Sequence, residues 1–273
     1  MFRLNKFYWI GLCAIVIVAF IITYIPKETK SEQSSINPTV FVHGYKGTYN
    51  SFGNMLNRFE NKYNWGHKAL VYQIAKDGTI QVKKGHRKNN DEPIFIQVIF
   101  EDNRASFADS AGYLSTVMKH LKENYQIDSI NLVGHSMGGI VALKFIDEQL
   151  DDSDSYPSVQ KYVAIGSPFD GIYKESYFEV HKDAGAIDLM PNSDALKSLY
   201  ANEAAFPESI EVLSIASTGD VIAAPKSVSA LKNIIPDTQL KNILIENENL
   251  GHSDLHESEK VDRLIHTFLY AEE

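Results

Sequence analysis

At 273 residues, with 44% apolar and 22% charged side chains, the chain is long enough for one large domain with a well-buried core plus a short additional segment. The formal charge is −9, and residues 31 to 273 alone hold 22 basic against 34 acidic side chains, which excludes the basic footprint that nucleic-acid phosphates require. The one cysteine, Cys13, lies in an apolar run near the N-terminus, so the remainder can form no disulfide, offer no thiol nucleophile and supply no thiolate to a metal.

Arg3 and Lys6 precede an uncharged stretch from Phe7 to Ile25. As a helix this stretch reaches roughly 28 Å, close to the hydrocarbon thickness of a bilayer. Secretory signal cores are shorter and end at a small-x-small cleavage site, whereas "FIITYIPKE" is bulky throughout. Residues 1–30 are therefore expected to be an uncleaved membrane anchor. A cleaved signal, with secretion, is the alternative, and a lipoprotein acylated at Cys13 is disfavoured by the large Leu12 before it. Arg3, Lys6 and the terminal amine favour an inside N-terminus, which places the rest of the chain on the extracytoplasmic side. Residues 31–38 read as a polar linker, and the folded domain is expected over 39–273.

From residue 39 short β-branched runs alternate with longer amphipathic stretches, the pattern of an α/β fold with a mainly parallel sheet. The first predicted strand, "TVFVHG" (39–44), leads into the loop "HGYKGT". A hairpin follows over 69–84 around Asp77-Gly78, then a basic loop over 83–93 that reads as solvated. The strand "IFIQVIF" (94–100) precedes a helix over 106–125, whose stripe of Phe107, Ala111, Leu114, Met118 and Leu121 is core.

The next strand, "SINLVGH" (129–135), runs into "GHSMGG" and a helical run from Ile140 to Phe145. A serine in G-x-S-x-G between strand and helix sits on a sharp turn that lifts its hydroxyl above the sheet. The flanking positions must be small because the two backbones nearly touch, and the helix directs its positive end toward the same spot. Ser136 is thus the candidate nucleophile. The carboxylate-rich stretch 147–157 lacks the glycine and terminal Glu of a calcium loop and reads as a solvated turn.

Beyond the strand "QKYVAIGS" (160–167) lies a long segment before the strand "IEVLSIAS" (210–217). Connections of that length in a compact domain are usually functional. Here Ile172, Tyr173, Tyr177, Phe178, Leu189 and Met190 either line an acyl pocket under a cap or pin the segment to the sheet. Asp220 follows the 210–217 strand and is the candidate acid, with Asp170 in "GSPFDG" as the alternative. After the last strand, "KNILIEN" (241–247), the loop "GHSDLH" offers His252 and His256 as bases. Gly251 marks a tight bend that favours His252, and a helix over 258–270 closes the chain. Tyr45 and Met137 are the candidate oxyanion-hole donors through their backbone N–H groups, while His43 and His135 read as structural.

Together "HGYKGT", "GHSMGG", "STGD" and "GHSDLH", in that order, resemble the α/β-hydrolase superfamily over essentially everything after the linker. More narrowly the chain is similar to the lipase-like cell-surface hydrolases of bacteria, a group of unknown function. The strand and helix pattern corresponds to a sheet of about six strands flanked by helices, with the hairpin as an insertion and a small cap. The resemblance implies a membrane-associated serine hydrolase with Ser136, Asp220 and His252 as its triad, and the expected reaction is hydrolysis of carboxylic esters, with no metal or cofactor expected. A thioesterase, amidase or acyltransferase on the same residues, or a surface-binding module without catalysis, remain the alternatives.

Overall fold

The computed structural model describes residues 37–85, 92–149, 153–201 and 206–271. The expected anchor over 1–30, the linker as far as residue 36 and most of the basic loop lie outside them. Among the described residues no helix is long and apolar enough to cross a membrane.

In chain order the elements are β1 (Thr39–Val42), α1 (Asn50–Asn57), a π-helical turn (Arg58–Lys62), β2 (His67–Ile74), β3 (Ile80–Lys84) and β4 (Ile94–Phe100). Then come α2 (Phe107–Tyr125), β5 (Ser129–His135), α3 (Met137–Glu148) and β6 (Ser158–Ile165). Three short helices, α4 (Glu175–Val180), α5 (Ala184–Asp188) and α6 (Asp194–Ser198), fill the long segment. They lead to β7 (Glu211–Ser217), α7 (Pro225–Val228), β8 (Leu240–Ile245) and α8 (Glu259–Tyr270).

The strands form a single eight-stranded sheet in the order β3-β2-β4-β1-β5-β6-β7-β8. Every neighbouring pair is parallel except β2 and β3. The hairpin does not stand apart as an insertion: β2 pairs with β4 from His67↔Ile94 to Ile74↔Phe100 and extends the sheet. Its turn has the chemistry expected of Asp-Gly, with Gly78 at φ +83° and Thr79 N–H donating to Asp77 Oδ1 at 2.9 Å.

Alternate residues of the central strands enter two separate cores, which is why those strands read as continuous apolar runs. Val40 and Val42 face the core under α2 and α3, whereas Phe41 faces the core under α1 and α8. The second core centres on edge-to-face contacts of Phe41 with Phe52, Phe59 and Phe95, at centroid distances of 5.3, 6.2 and 5.9 Å. Phe41→Ala should therefore cost about 3–5 kcal/mol, read as a lowered urea midpoint with unchanged slope.

Helix α2 begins where Ser106 Oγ accepts the N–H of Asp109 at 3.0 Å, and it stops at Gln126, which turns left-handed at φ +55°. Chain direction across the sheet reverses at β1. The hairpin and β4 fill one side, and everything from β5 onward fills the other. In open parallel sheets that reversal leaves a crevice at the carboxyl ends of the strands, which is where a ligand site belongs.

The cap segment is tied down at several points. Ile172 N–H donates to Leu189 O at 2.9 Å, Tyr45 OH to Asp183 Oδ2 at 2.6 Å, and Phe107 N–H to Asp188 Oδ2 at 2.7 Å. Arg104 Nη1 lies 3.0 Å from Asp183 Oδ2, and Gly185 N–H reaches Arg104 O at 2.9 Å.

Candidate active site

The loops after β1, β5, β7 and β8 converge on the crevice. At the end of β5 the backbone turns through Ser136 with φ +56° and ψ −131°, a conformation that costs a non-glycine residue of order 1–3 kcal/mol. Close packing enforces it. A Cβ on Gly138 would sit 2.2 Å from Val42 O, and one on Gly134 would sit 2.4 Å from Gly139 N. Ser136 N–H donates to Ile165 O at 2.9 Å, so the turn is also anchored to β6.

Ser136 Oγ lies 2.9 Å from His252 Nε2, and His252 Nδ1 lies 2.7 Å from Asp220 Oδ2. A carboxylate only accepts, so Nδ1 carries the proton and Nε2 is left bare to take the serine's O–H. Asp220 is 2% exposed, and its other oxygen accepts from Ile222 N–H and Ala223 N–H at 2.9 and 2.8 Å. The carboxylate is fixed from both sides. Ser136 is 7% exposed and His252 half-buried, so the hydroxyl is sheltered without being sealed in.

The other candidate acid and base are placed elsewhere. Asp170 accepts from Tyr173 OH, and its N–H donates to Ser227 Oγ at 3.1 Å. His256 packs beside Phe52 with Nδ1 3.4 Å from Glu257 Oε1. The short 3-10 turn Ser253–Glu257 directs the two imidazoles to different neighbours.

The loop after β1 lies against the serine: a Cβ on Gly44 would be 2.7 Å from Ser136 Cβ and 3.2 Å from Met137 N. Gly44 O accepts from Gly47 N–H at 2.9 Å and from His43 Nδ1 at 2.9 Å. The N–H of Tyr45 occupies the opposite edge of that trans peptide. His43 Nε2 in turn accepts Phe100 N–H at 3.0 Å, which fixes the tautomer. Burial lowers His43 to about 4, so the ring is neutral at physiological pH and braces the loop. Met137 is the first residue of α3, and its N–H has no carbonyl one turn back.

Of the cap residues singled out from the sequence, Ile172 and Leu189 are wholly buried in the core beneath the segment. Tyr177 and Phe178 pack half-buried against that core, and Tyr173 and Met190 are exposed. Tyr177 stands beside Tyr45 at 6.2 Å and His181 at 4.6 Å.

Three supports have no sequence motif. Asn103 accepts Lys46 N–H at 2.7 Å through its carbonyl and donates Nδ2 to Gly47 O at 2.9 Å, holding the loop after β1. Asp183 holds the Tyr45 side chain. Arg58 grips Asp262 with Nε and Nη2 at 2.6 and 2.9 Å, Glu257 Oε2 at 3.0 Å and His256 O at 3.0 Å, pinning the turn that follows His252. Only position after a strand flags Asn103. The fully buried Asp262 is raised by burial, which outweighs the opposing pull of Arg58. Arg58→Met strands that carboxylate and should cost about 3–5 kcal/mol in urea unfolding. Pairing it with Asp262→Leu should recover most of the loss.

Among the described residues no group of His, Cys, Asp and Glu could hold a metal ion. Two solved structures are each 25% identical to this chain at a TM-score of 0.68. One is the lin2722 gene product of Listeria innocua, with 87% of this chain and 95% of that chain covered. The other, from Lactobacillus plantarum WCFS1, carries the provisional name cell surface hydrolase, with 88% and 93% covered. A yeast protein from Saccharomyces cerevisiae, 1-acylglycerol-3-phosphate O-acyltransferase ICT1, is 26% identical over 133 residues. That match covers 43% of this chain and spans only 33% of the yeast protein. The model of the family described as alpha/beta hydrolase of unknown function (DUF915) matches residues 26–272, and the chain belongs to that family.

Proposed function

We propose that the protein is a serine hydrolase of carboxylic esters. The observation that carries this is one imidazole bridging Ser136 Oγ at 2.9 Å and Asp220 Oδ2 at 2.7 Å. Ser136 Oγ attacks the ester carbonyl while His252 Nε2 takes its proton, and Asp220 holds the imidazole and offsets its charge. The carbonyl oxygen becomes an oxyanion between Tyr45 N–H and Met137 N–H, and α3 points its positive end at the same place. His252 then protonates the departing alcohol. Water, activated by the same imidazole, releases the acid from the acyl-enzyme.

Tyr177, with the exposed Tyr173 and Met190, belongs to the cap wall that an acyl chain would meet. Residues 1–30 are proposed to tether this domain, 39–273, on the extracytoplasmic face of a membrane. The provisional name of the Lactobacillus plantarum relative supports that placement.

The same residues can hand an acyl group to an alcohol instead of water, and the yeast relative is named for such a transfer. Product analysis with glycerol present separates the two outcomes. The primary test is labelling by a serine-directed phosphonate. The wild-type protein should incorporate one equivalent and Ser136→Ala none; labelling that survives in Ser136→Ala would point to a different nucleophile.

A further inference from the structure

His135 lies outside the groups assigned above, yet it touches the base directly. It closes β5 immediately before Ser136, is 6% exposed, and places Nε2 3.0 Å from the backbone carbonyl of His252. A carbonyl can only accept, so Nε2 of His135 carries a proton and donates it. The two imidazoles lie 4.8 Å apart at 41°, and His256 stands edge-on to His135, also at 4.8 Å.

The need for such a bond follows from how His252 is held. Its ring hydrogen bonds go to Ser136 and Asp220, and the first of these changes during the reaction. Its backbone opens a single 3-10 turn without a side-chain cap. Arg58 secures the far end of that turn at His256 O, and the bond from His135 secures the near end.

We infer that His135 is a positioning residue, whose Nε2–H fixes the His252 backbone, and through it the attacking geometry, relative to the serine next to it in the chain. The inference rests on the serine-hydrolase proposal. It explains why an imidazole suits a site where a stronger cationic donor would not. A lysine or arginine would also reach the carbonyl, but would set a permanent charge beside the imidazolium that forms on His252. His135 is held well below its ordinary range, first by burial and then by the charges that His252, His256 and His43 can carry. It therefore donates while staying neutral.

Two variants and one measurement on the unaltered protein test this. His135→Phe keeps the volume and removes the donor. With a short-chain aryl ester it should lower kcat roughly 10- to 100-fold at a KM within twofold, because a misplaced base slows the chemical step and leaves binding alone. His135→Gln restores an N–H at similar reach and should recover most of that loss. Phosphonate labelling of Ser136 should slow and recover in parallel.

A His135→Phe enzyme within twofold of wild type, or a Gln variant as slow as the Phe variant, would overturn the inference. Should the Phe variant fail to fold, nitrogen NMR of the wild-type protein decides. The His135 ring must carry its proton on Nε2 at neutral pH, and an Nδ1–H form there refutes the role. These results are separable from the parent proposal, which fails if the wild-type protein takes up no phosphonate or if Ser136→Ala remains active.

Discussion

Alanine at Ser136 should lower kcat on any ester substrate by about 10⁵-fold or more while leaving KM and the melting temperature close to wild type. The magnitude follows from losing the acyl-enzyme route altogether, with only the residual catalysis of oxyanion donors and binding left over. Fold stability is expected to survive because the turn is held by backbone: Ser136 N–H bonds to Ile165 O, and Ser136 O receives Gly139 N–H at 3.0 Å. Alanine pays the same backbone cost at φ +56° that serine already bears. A purified Ser136→Ala protein turning over ester at more than one part in a hundred of the wild-type rate would remove the serine from the mechanism.

The second large effect is predicted for Asp220→Asn, a change of one atom. Two backbone donors, Ile222 N–H and Ala223 N–H, point at Oδ1 and demand an acceptor there. The amide oxygen of asparagine must take that position, which turns its NH₂ toward His252 Nδ1. The imidazole can then only accept at Nδ1, so its proton moves to Nε2, the nitrogen facing Ser136. A base already protonated on the working side cannot accept the serine's proton. The expected loss is about 10⁴-fold in kcat. The NMR signature is a His252 proton relocated from Nδ1 to Nε2, and an unchanged tautomer with unchanged rate would show that Asp220 does not orient the base.

Much of the scaffold could be read from residue order because parallel strands buried on both faces announce themselves as apolar runs. Six strand segments are identifiable this way, and the two of the hairpin only through the turn between them. What local pattern does not encode is the partner of an edge strand. The Asp77-Gly78 turn reveals the hairpin, but nothing near it reveals that β2 lies along β4. Helix α1 was hidden for a different reason. Phe52, Met55, Leu56 and Phe59 recur at helical spacing, but Asn50, Gly53, Asn54 and Asn57 among them are weak helix formers, and the π-helical turn that follows breaks the period.

The site follows the same division. Ser136, Asp220 and His252 were readable because each falls just after a strand in a fixed chain order. The choice between His252 and His256 depends on a 3-10 turn that no spacing rule resolves. The bond from His135 exists only once two distant loops meet. Ile172 and Leu189 carry the same apolar character as their neighbours, and only their burial assigns them to the core beneath the cap instead of its surface.

The fastening of the cap has one more consequence. The phenol of Tyr45 is bonded to the cap at Asp183, while the N–H of the same residue is the proposed oxyanion donor. A swinging lid would drag that donor out of place each time it opened. If the cap stays fastened there during turnover, the rate should rise smoothly with dissolved ester and show no jump when the ester begins to form droplets.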